Sequence, residues 1–488
     1  MSTGPSAAGP APRHVAGSAT QGGGAEARIG LWDCISIIVG IVIGVSIFKV
    51  PGLIFSNVSG PWVGLAAWLL GGALSLIGAL CYAELATAYP KMGGDYAYLT
   101  RAYHPAAGFL FGWGRLSAIQ TGSMGALAYV FADYAVRLFG GSDADLKSQA
   151  VWFALGAVVV LTLINLLGVM FGKGAQNVLT AAKVLGLLGI LVAGFLWGKG
   201  GAFTIGHPVK NPDFGFAMIL ILYAYGGWND SALVAAEVRE PRRNLPRALL
   251  LGTVAITVIY LLVNLAYLAG LGFDGIRNTW VPAADVLKPM LGEWGSKGMC
   301  LLVILSALGA LNGVILTGSR VHAAVGADYR LFAALGRWHR RSGAPVWALI
   351  TQGAVTILMI LAVGTEAGRN AFDQALSALG AGKVPWEKYF GGFDTLVAGT
   401  APVFWLFFLL SGVSVIVLRL RDRAVERPFR VPLFPVFPIV FCLTCGYMLY
   451  SSVTYAEQVS LFGLVPLAVG VPLYLLSGGP GSGTARGS

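Results

Sequence analysis

Runs of about twenty residues with almost no charge recur along the whole chain, separated by short polar connections. Twenty helical residues rise about 30 Å, the thickness of bilayer hydrocarbon, so each run predicts a membrane-spanning helix. The runs fall at about 31–56, 62–88, 104–138, 150–170, 175–197, 213–237, 247–271, 299–325, 345–364, 395–418, 434–453 and 459–477. The chain therefore reads as an all-α polytopic membrane protein with twelve transmembrane helices, with lipid as its solvent. The third run is too long for an upright crossing and predicts tilt, or a short interfacial helix before it. Residues 1–28, rich in Gly, Ala, Ser and Pro, predict a disordered tail, and 479–488 a second flexible one.

Loop charge tests the count, because Lys and Arg concentrate in cytoplasmic loops. The connection with Arg239, Arg242, Arg243 and Arg247 reads as inside, as do those around Arg330–Arg341 and Arg419–Arg430. The connections at about 272–298 and 365–394 mix both signs and read as outside, the second with a short interfacial helix. An even number of spans with both termini cytoplasmic satisfies this alternation, and the many spans place the chain in the cell membrane.

Two spans carry breaks. Ile43-Gly44-Val45-Ser46-Ile47-Phe48 interrupts the first and is followed by Pro51-Gly52; Tyr225-Gly226-Gly227-Trp228-Asn229-Asp230 interrupts the sixth. A break inside a membrane frees backbone donors and acceptors, a cost that protein groups, water or a ligand must offset. The first and sixth spans open two successive groups of five, the placement seen where broken helices build a midplane site. Half-helix amino ends suit a carboxylate, and half-helix carboxyl ends an ammonium, so a zwitterionic amino acid fits better than a sugar or a nucleobase. The bland reading is that the glycines only let helices approach closely.

Composition agrees with lipid as the solvent: 56% of the 488 residues are apolar, 11% are charged, and mean hydropathy is +0.73. The net charge of +11 is read as a topology signal rather than a nucleic-acid face. Cys34, Cys81, Cys300, Cys442 and Cys445 lack zinc or redox spacing, and the five histidines form no local cluster. No GxxxxGK[ST], HExxH, CxxC or EF-hand pattern occurs. No cofactor, metal or enzymatic activity is expected.

At this point five ordered motifs carry a resemblance. IVIGVSIFKVPG (Ile41–Gly52), CYAELATAYPKMGGDYAYL (Cys81–Leu99), YAYGGWNDSALVAAEVREPRRNLPRAL (Tyr223–Leu249), LSALGALNGVILTGSR (Leu305–Arg320) and ERPFRVPLFPVFP (Glu426–Pro438) together span about residues 29–455. The chain resembles the amino acid-polyamine-organocation superfamily, and most of all its L-type amino acid transporter branch. The resemblance implies a LeuT-like five-plus-five inverted repeat in a transporter domain at 29–478. Its first repeat is at about 29–198, its second at about 212–419, and two extra helices lie at about 434–477. It implies amino acid transport by alternating access, as a sodium-independent exchanger of neutral L-amino acids. A proton-coupled or cationic amino acid carrier, or a nontransporting sensor or channel, stands as the alternative.

By the family pattern, Gly44, Val45, Ser46 and Ile47 hold the substrate carboxylate. Gly226 and Gly227 face the amino group, Tyr225 or Trp228 lies over the side chain, and Asn229 orders the site. The family reads Gly-Ser-Gly or Gly-Thr-Gly where this chain has Gly44-Val45-Ser46, so Ser46 either narrows the pocket or caps a half-helix. Asp230 is a second departure and is assigned to coupling, a salt bridge or a cap. Lys183 resembles the lysine that some relatives place at a sodium position, bridging the first and eighth helices; snorkelling is its bland reading. Asp33, Glu84, Glu237 and Arg239 are read as gate or structural ion-pair residues. The 139–149 connection, FGGSDADLKSQ, has no cysteine for a disulfide-linked heavy chain, and weak dimerisation is left open.

Overall fold

The structure is a computed structural model that describes residues 30–89, 94–167, 173–198, 203–228, 239–339, 344–389 and 391–477. Among the described residues there are helices, turns and connections, and no strand. Both expected tails lie outside the described residues.

Helix α1 (Leu31–Val42) stops at a three-residue bend, and α2 (Ser46–Ser56) resumes after it. Helix α3 (Pro61–Ala88) starts on a proline, where a missing amide costs nothing. A short α4 (Asp95–Ala102) precedes α5 (Pro105–Gly114), which passes through one π-helical turn at Arg115–Ile119 into α6 (Gln120–Leu138). Next come α7 (Asp143–Leu166), α8 (Lys173–Leu196) and α9 (Phe214–Ala224). The remaining helices are α10 (Pro241–Arg277), α11 (Pro282–Asp285), α12 (Lys288–Asp328), α13 (Val346–Gly364), α14 (Glu366–Ala378), α15 (Gly392–Arg421), α16 (Val436–Ala456) and α17 (Leu461–Leu476).

Among the described residues, seven helical stretches are long and apolar enough to cross a membrane, the last of them running through both α16 and α17. Shorter apolar helices include α2, α9 and the Lys183–Leu196 part of α8. This is the build of a multi-pass membrane protein. Helices α10 and α12 are longer than their apolar runs, because each joins two helices at a kink where the backbone is non-helical, Gly272 (φ 73°) and Gly292 (φ 62°). In the 365–394 connection the longer helix is α14, with Thr365 Oγ1 accepting from Gly368 N at 3.0 Å; the aromatic part holds a single 3-10 turn at Trp386–Lys388.

Packing sorts the helices into two groups. Helices α1 and α3 pack on α10, and α2 packs on α9 and α10. Helices α6, α7, α12 and α13 form the second group, with α8 bridging α10 to α12 and α15 lying against α6 and α16. At one end of the bundle, Glu84 Oε1 lies 3.0 Å from Arg419 Nε and 3.5 Å from Arg427 Nε, and Arg101 Nε lies 2.7 Å from Asp422. Arg242 pairs with Glu426 there at 3.0 Å. The other end holds Lys49–Asp133 at 2.5 Å, Arg137–Asp285 at 3.4 Å and Lys388–Glu457 at 3.1 Å.

Candidate functional site

The first sequence break interrupts a helix that resumes after it, and at the second a helix ends. After Val42 the chain bends through Ile43–Val45, with Gly44 N donating to Val42 O at 2.6 Å. Val45 precedes α2 with no side-chain cap, and Ser46 is the first helical residue rather than a cap. Helix α9 ends at Ala224, and Tyr225–Gly227 form a turn in which Gly226 N donates to Tyr223 O at 3.0 Å. Gly227 has φ 106°, a conformation that a Cβ disfavours.

One hydroxyl joins the two breaks. Tyr260 Oη, from α10, lies 2.7 Å from Val42 O at the end of α1 and 3.0 Å from Ala224 O at the end of α9. A hydroxyl has a single proton, so the two carbonyls share it. The sequence reading reserved half-helix carbonyls for an ammonium, and here two of them already have a donor. Terminal helix carbonyls in an apolar bundle need one, and Tyr260 is fully buried between them. With Gly44 N donating to it as well, the Val42 carbonyl has both of its lone pairs engaged.

Helix α2 is held in the same manner. Pro51 has no N–H, so the Ile47 carbonyl one turn earlier lacks its helical partner; Tyr267 Oη donates to it at 3.3 Å. Tyr134 Oη, from α6, donates to Phe48 O. Gly52 permits a close approach on the other side, since a Cβ there would lie 2.9 Å from Thr279 O.

The two aromatic residues of the second break are placed differently. Tyr225 donates to Trp68 O at 3.1 Å, and its ring packs on Trp68 and Tyr260, so it is part of the wall toward α3 and α10. Trp228 packs edge-on to Tyr82 at 5.2 Å and to Phe408 at 5.8 Å. Tyr223, which the sequence reading passed over, meets Phe393 of α15 at 6.1 Å.

A family model described as amino acid permease matches residues 29–471. The chain belongs to the amino acid permease family. The permease is 30% identical to the serine/threonine exchanger SteT of Bacillus subtilis over 93% of this chain and 98% of that protein. It is 29% identical to large neutral amino acids transporter small subunit 2 of Mus musculus, over 94% of this chain and 83% of that one. It is 27% identical to the mouse Asc-type amino acid transporter 1, over 92% and 81%. These relatives place the permease in the amino acid-polyamine-organocation superfamily, near its L-type branch, and they are named as transporters and exchangers, not enzymes.

The other residues singled out in the sequence scatter through the permease. Gly44 and Ser46 are half-buried at the first break, and Val45 and Ile47 are buried. Lys183 is half-buried in α8, and among the described residues no carboxylate lies within ion-pair distance of it. Glu84 is buried, and besides its two arginines its Oε2 accepts from Val431 N at 2.7 Å. Arg239 is exposed, and its carbonyl accepts from Asn244 Nδ2 at 2.6 Å. Asn229, Asp230 and Glu237 lie outside the described residues, as does the side chain of Asp33. Among the described residues no cluster suits a metal, and all five cysteines are free.

The sequence reading also missed Lys49 and Asp133. Lys49 Nζ lies 2.5 Å from Asp133 Oδ2 and 3.2 Å from the Trp280 carbonyl, with both charged side chains buried. Each is an ionisable residue inside an apolar run, the signal that drew attention to Lys183.

Proposed function

We propose that this permease carries neutral L-amino acids by alternating access, as a sodium-independent exchanger. The observation that supports it most is that α1 and α9 both stop inside the bundle, with their ends held together by Tyr260. Two broken helices meeting in a bundle interior form a site with both donor and acceptor ends, which matches the two charges of an amino acid. In this reading Gly44, Val45, Ser46 and Ile47 receive the carboxylate at the start of α2. Gly226, Gly227 and Asn229 face the ammonium, and Trp228 covers the side chain. Asp230 takes part in coupling, and Asp33, Glu84, Glu237 and Arg239 belong to the inner gate.

The wider architecture proposed is twelve spans in a cell membrane, with two inverted repeats at about 29–198 and 212–419 and both termini cytoplasmic. Lys183 replaces a sodium ion in holding the scaffold together. Relatives named for serine and threonine or for large neutral amino acids support a neutral substrate. With no cysteine in 139–149, the carrier is proposed to work without a disulfide-linked partner.

The test is uptake of labelled alanine and leucine into liposomes containing the purified permease, with internal amino acid, proton gradient and sodium varied separately. Acceleration by internal amino acid, with no sodium effect, is expected. Concentrative uptake into empty liposomes on a proton gradient would replace exchange with symport. Gly226→Phe should abolish saturable binding while leaving insertion intact, and unchanged affinity would overturn the assigned pocket.

A further inference from the structure

A cavity of about 200 Å³ lies beyond Lys49 on α2. Its wall includes Lys49, Leu53, Ser56, Arg277, Thr279 and Trp280, and none of the described residues that line it carries a carboxylate. Lys49 closes its inner end. Two N–H bonds of the ammonium go to Asp133 and the Trp280 carbonyl, and the Trp280 ring lies 5.0 Å away. Arg277 is held by Asp274 at 3.0 Å and by the His207 carbonyl at 2.8 Å, yet its buried Nε has no hydrogen-bond partner among the described residues. The space therefore offers two cations and an apolar wall, the Thr279 hydroxyl being committed to Asp285 at 2.5 Å.

The Lys49–Asp133 pair ties α2, the half-helix of the first break, to α6 and to the segment before α11. A buried ion pair is a poor way to add stability, because desolvation consumes most of its Coulombic gain. It is, however, well suited to being exchanged. A zwitterion inserted between the two side chains gives Lys49 a new carboxylate and Asp133 a new ammonium, so no charge is left unpaired and the number of charge-assisted hydrogen bonds is kept. An amine alone would leave Lys49 unpaired, and a carboxylate alone would leave Asp133 so.

We propose that this cavity is a first docking site for a zwitterionic α-amino acid, which splits the Lys49–Asp133 pair and thereby frees α2 from α6. The inference rests on the carrier reading above, with the cavity on its outer side. Arg277 steadies the incoming carboxylate, while Leu53 and Trp280 face its side chain. The amino acid thus opens the path to the broken helices by taking the place of the lock.

The test uses Ser56→Cys as a reporter in a Cys442→Ser background, the other four cysteines being buried. Cells carrying the full-length permease are labelled from outside with a membrane-impermeant thiol reagent. L-leucine is expected to slow labelling several-fold, whereas isovalerate and isoamylamine at equal concentration leave it unchanged. The same protection should persist with Gly226→Phe, where the inner pocket is blocked. It should disappear in Lys49→Met/Asp133→Leu, an apolar replacement of both partners chosen to keep the fold, with a monodisperse elution profile as the check. Absence of protection in either background overturns the docking site, as does protection that survives the double variant. Protection that vanishes with Gly226→Phe assigns the effect to the inner pocket and also overturns it, while exchange in liposomes would leave the carrier reading standing.

Discussion

At the scale of single residues, the site depends on tyrosine hydroxyls donating to backbone carbonyls. Tyr260, Tyr267 and Tyr134 together serve Val42, Ala224, Ile47 and Phe48. Tyr260→Phe removes a donor without changing shape, and a buried acceptor left unpaired costs about 1–3 kcal/mol. We predict a lower melting temperature in detergent and exchange slowed roughly tenfold, the equivalent of about 1.4 kcal/mol. Membrane insertion should be intact, and unchanged exchange would remove Tyr260 from the site. None of these hydroxyls was legible in the sequence, because a tyrosine in an apolar run reads as packing until its partner carbonyl is known. Gly44 and Gly226-Gly227 were legible, since small residues in an otherwise unbroken run mark places where the backbone can leave the helix. Lys49 and Asp133 were visible as charges in lipid, but nothing in one sequence pairs positions so far apart.

At the scale of elements, the turn after α9 rests on Gly227, whose φ of 106° lies outside the range that side chains accept readily. Gly227→Ala forces strain of about 1–2 kcal/mol onto this turn. We predict a raised KM and a lower melting temperature. Gly313→Ala in α12, where a Cβ meets nothing within 4 Å, should change neither. Equal behaviour of the two variants would mean that the turn does not shape the site. Helix starts and stops were read well where charge or proline punctuates them, as at Pro61 and Arg421. The stop read at 271 coincides with Gly272, whose non-helical backbone separates two helices, whereas the start read at 299 falls after the second such point, Gly292. Helix α4 was invisible as a span because DYAYLTRA is short and polar, and it is the surrounding bundle that gives it a surface to pack on.

At the scale of the molecule, clusters of charge fasten each end of the bundle. At the end holding Asp422, its carboxylate accepts from Arg101, which holds the carboxyl below the usual range against an opposing effect of burial. A carboxyl depressed in this way stabilises the fold above the ordinary value of about 4, and the contribution is lost as pH falls through the lowered value. Because Arg101 is half exposed, the contribution is small, about 0.2–1 kcal/mol. Asp422→Asn should therefore melt slightly below wild type at a constant gap from pH 8 to 5, and the gap should close below about pH 4. A gap that widens in acid would contradict the assignment. Alternating loop charge made the two ends of the bundle legible, whereas the pairing of α3 with α10 and of α6 with α12 is information about distant contacts that one chain does not display. The π-helical turn at Arg115–Ile119 has a consequence for the same long-range order, because such a turn accommodates a surplus residue. Each residue advances an α-helix by about 100°, so one surplus residue absorbed in a wider turn leaves the halves before and after it in the phase that a regular helix without that residue would have. A residue deleted from that turn should therefore leave Asp133 facing Lys49 and Tyr134 facing Phe48, whereas one deleted from the regular helix between Gln120 and Asp133 would turn both away together.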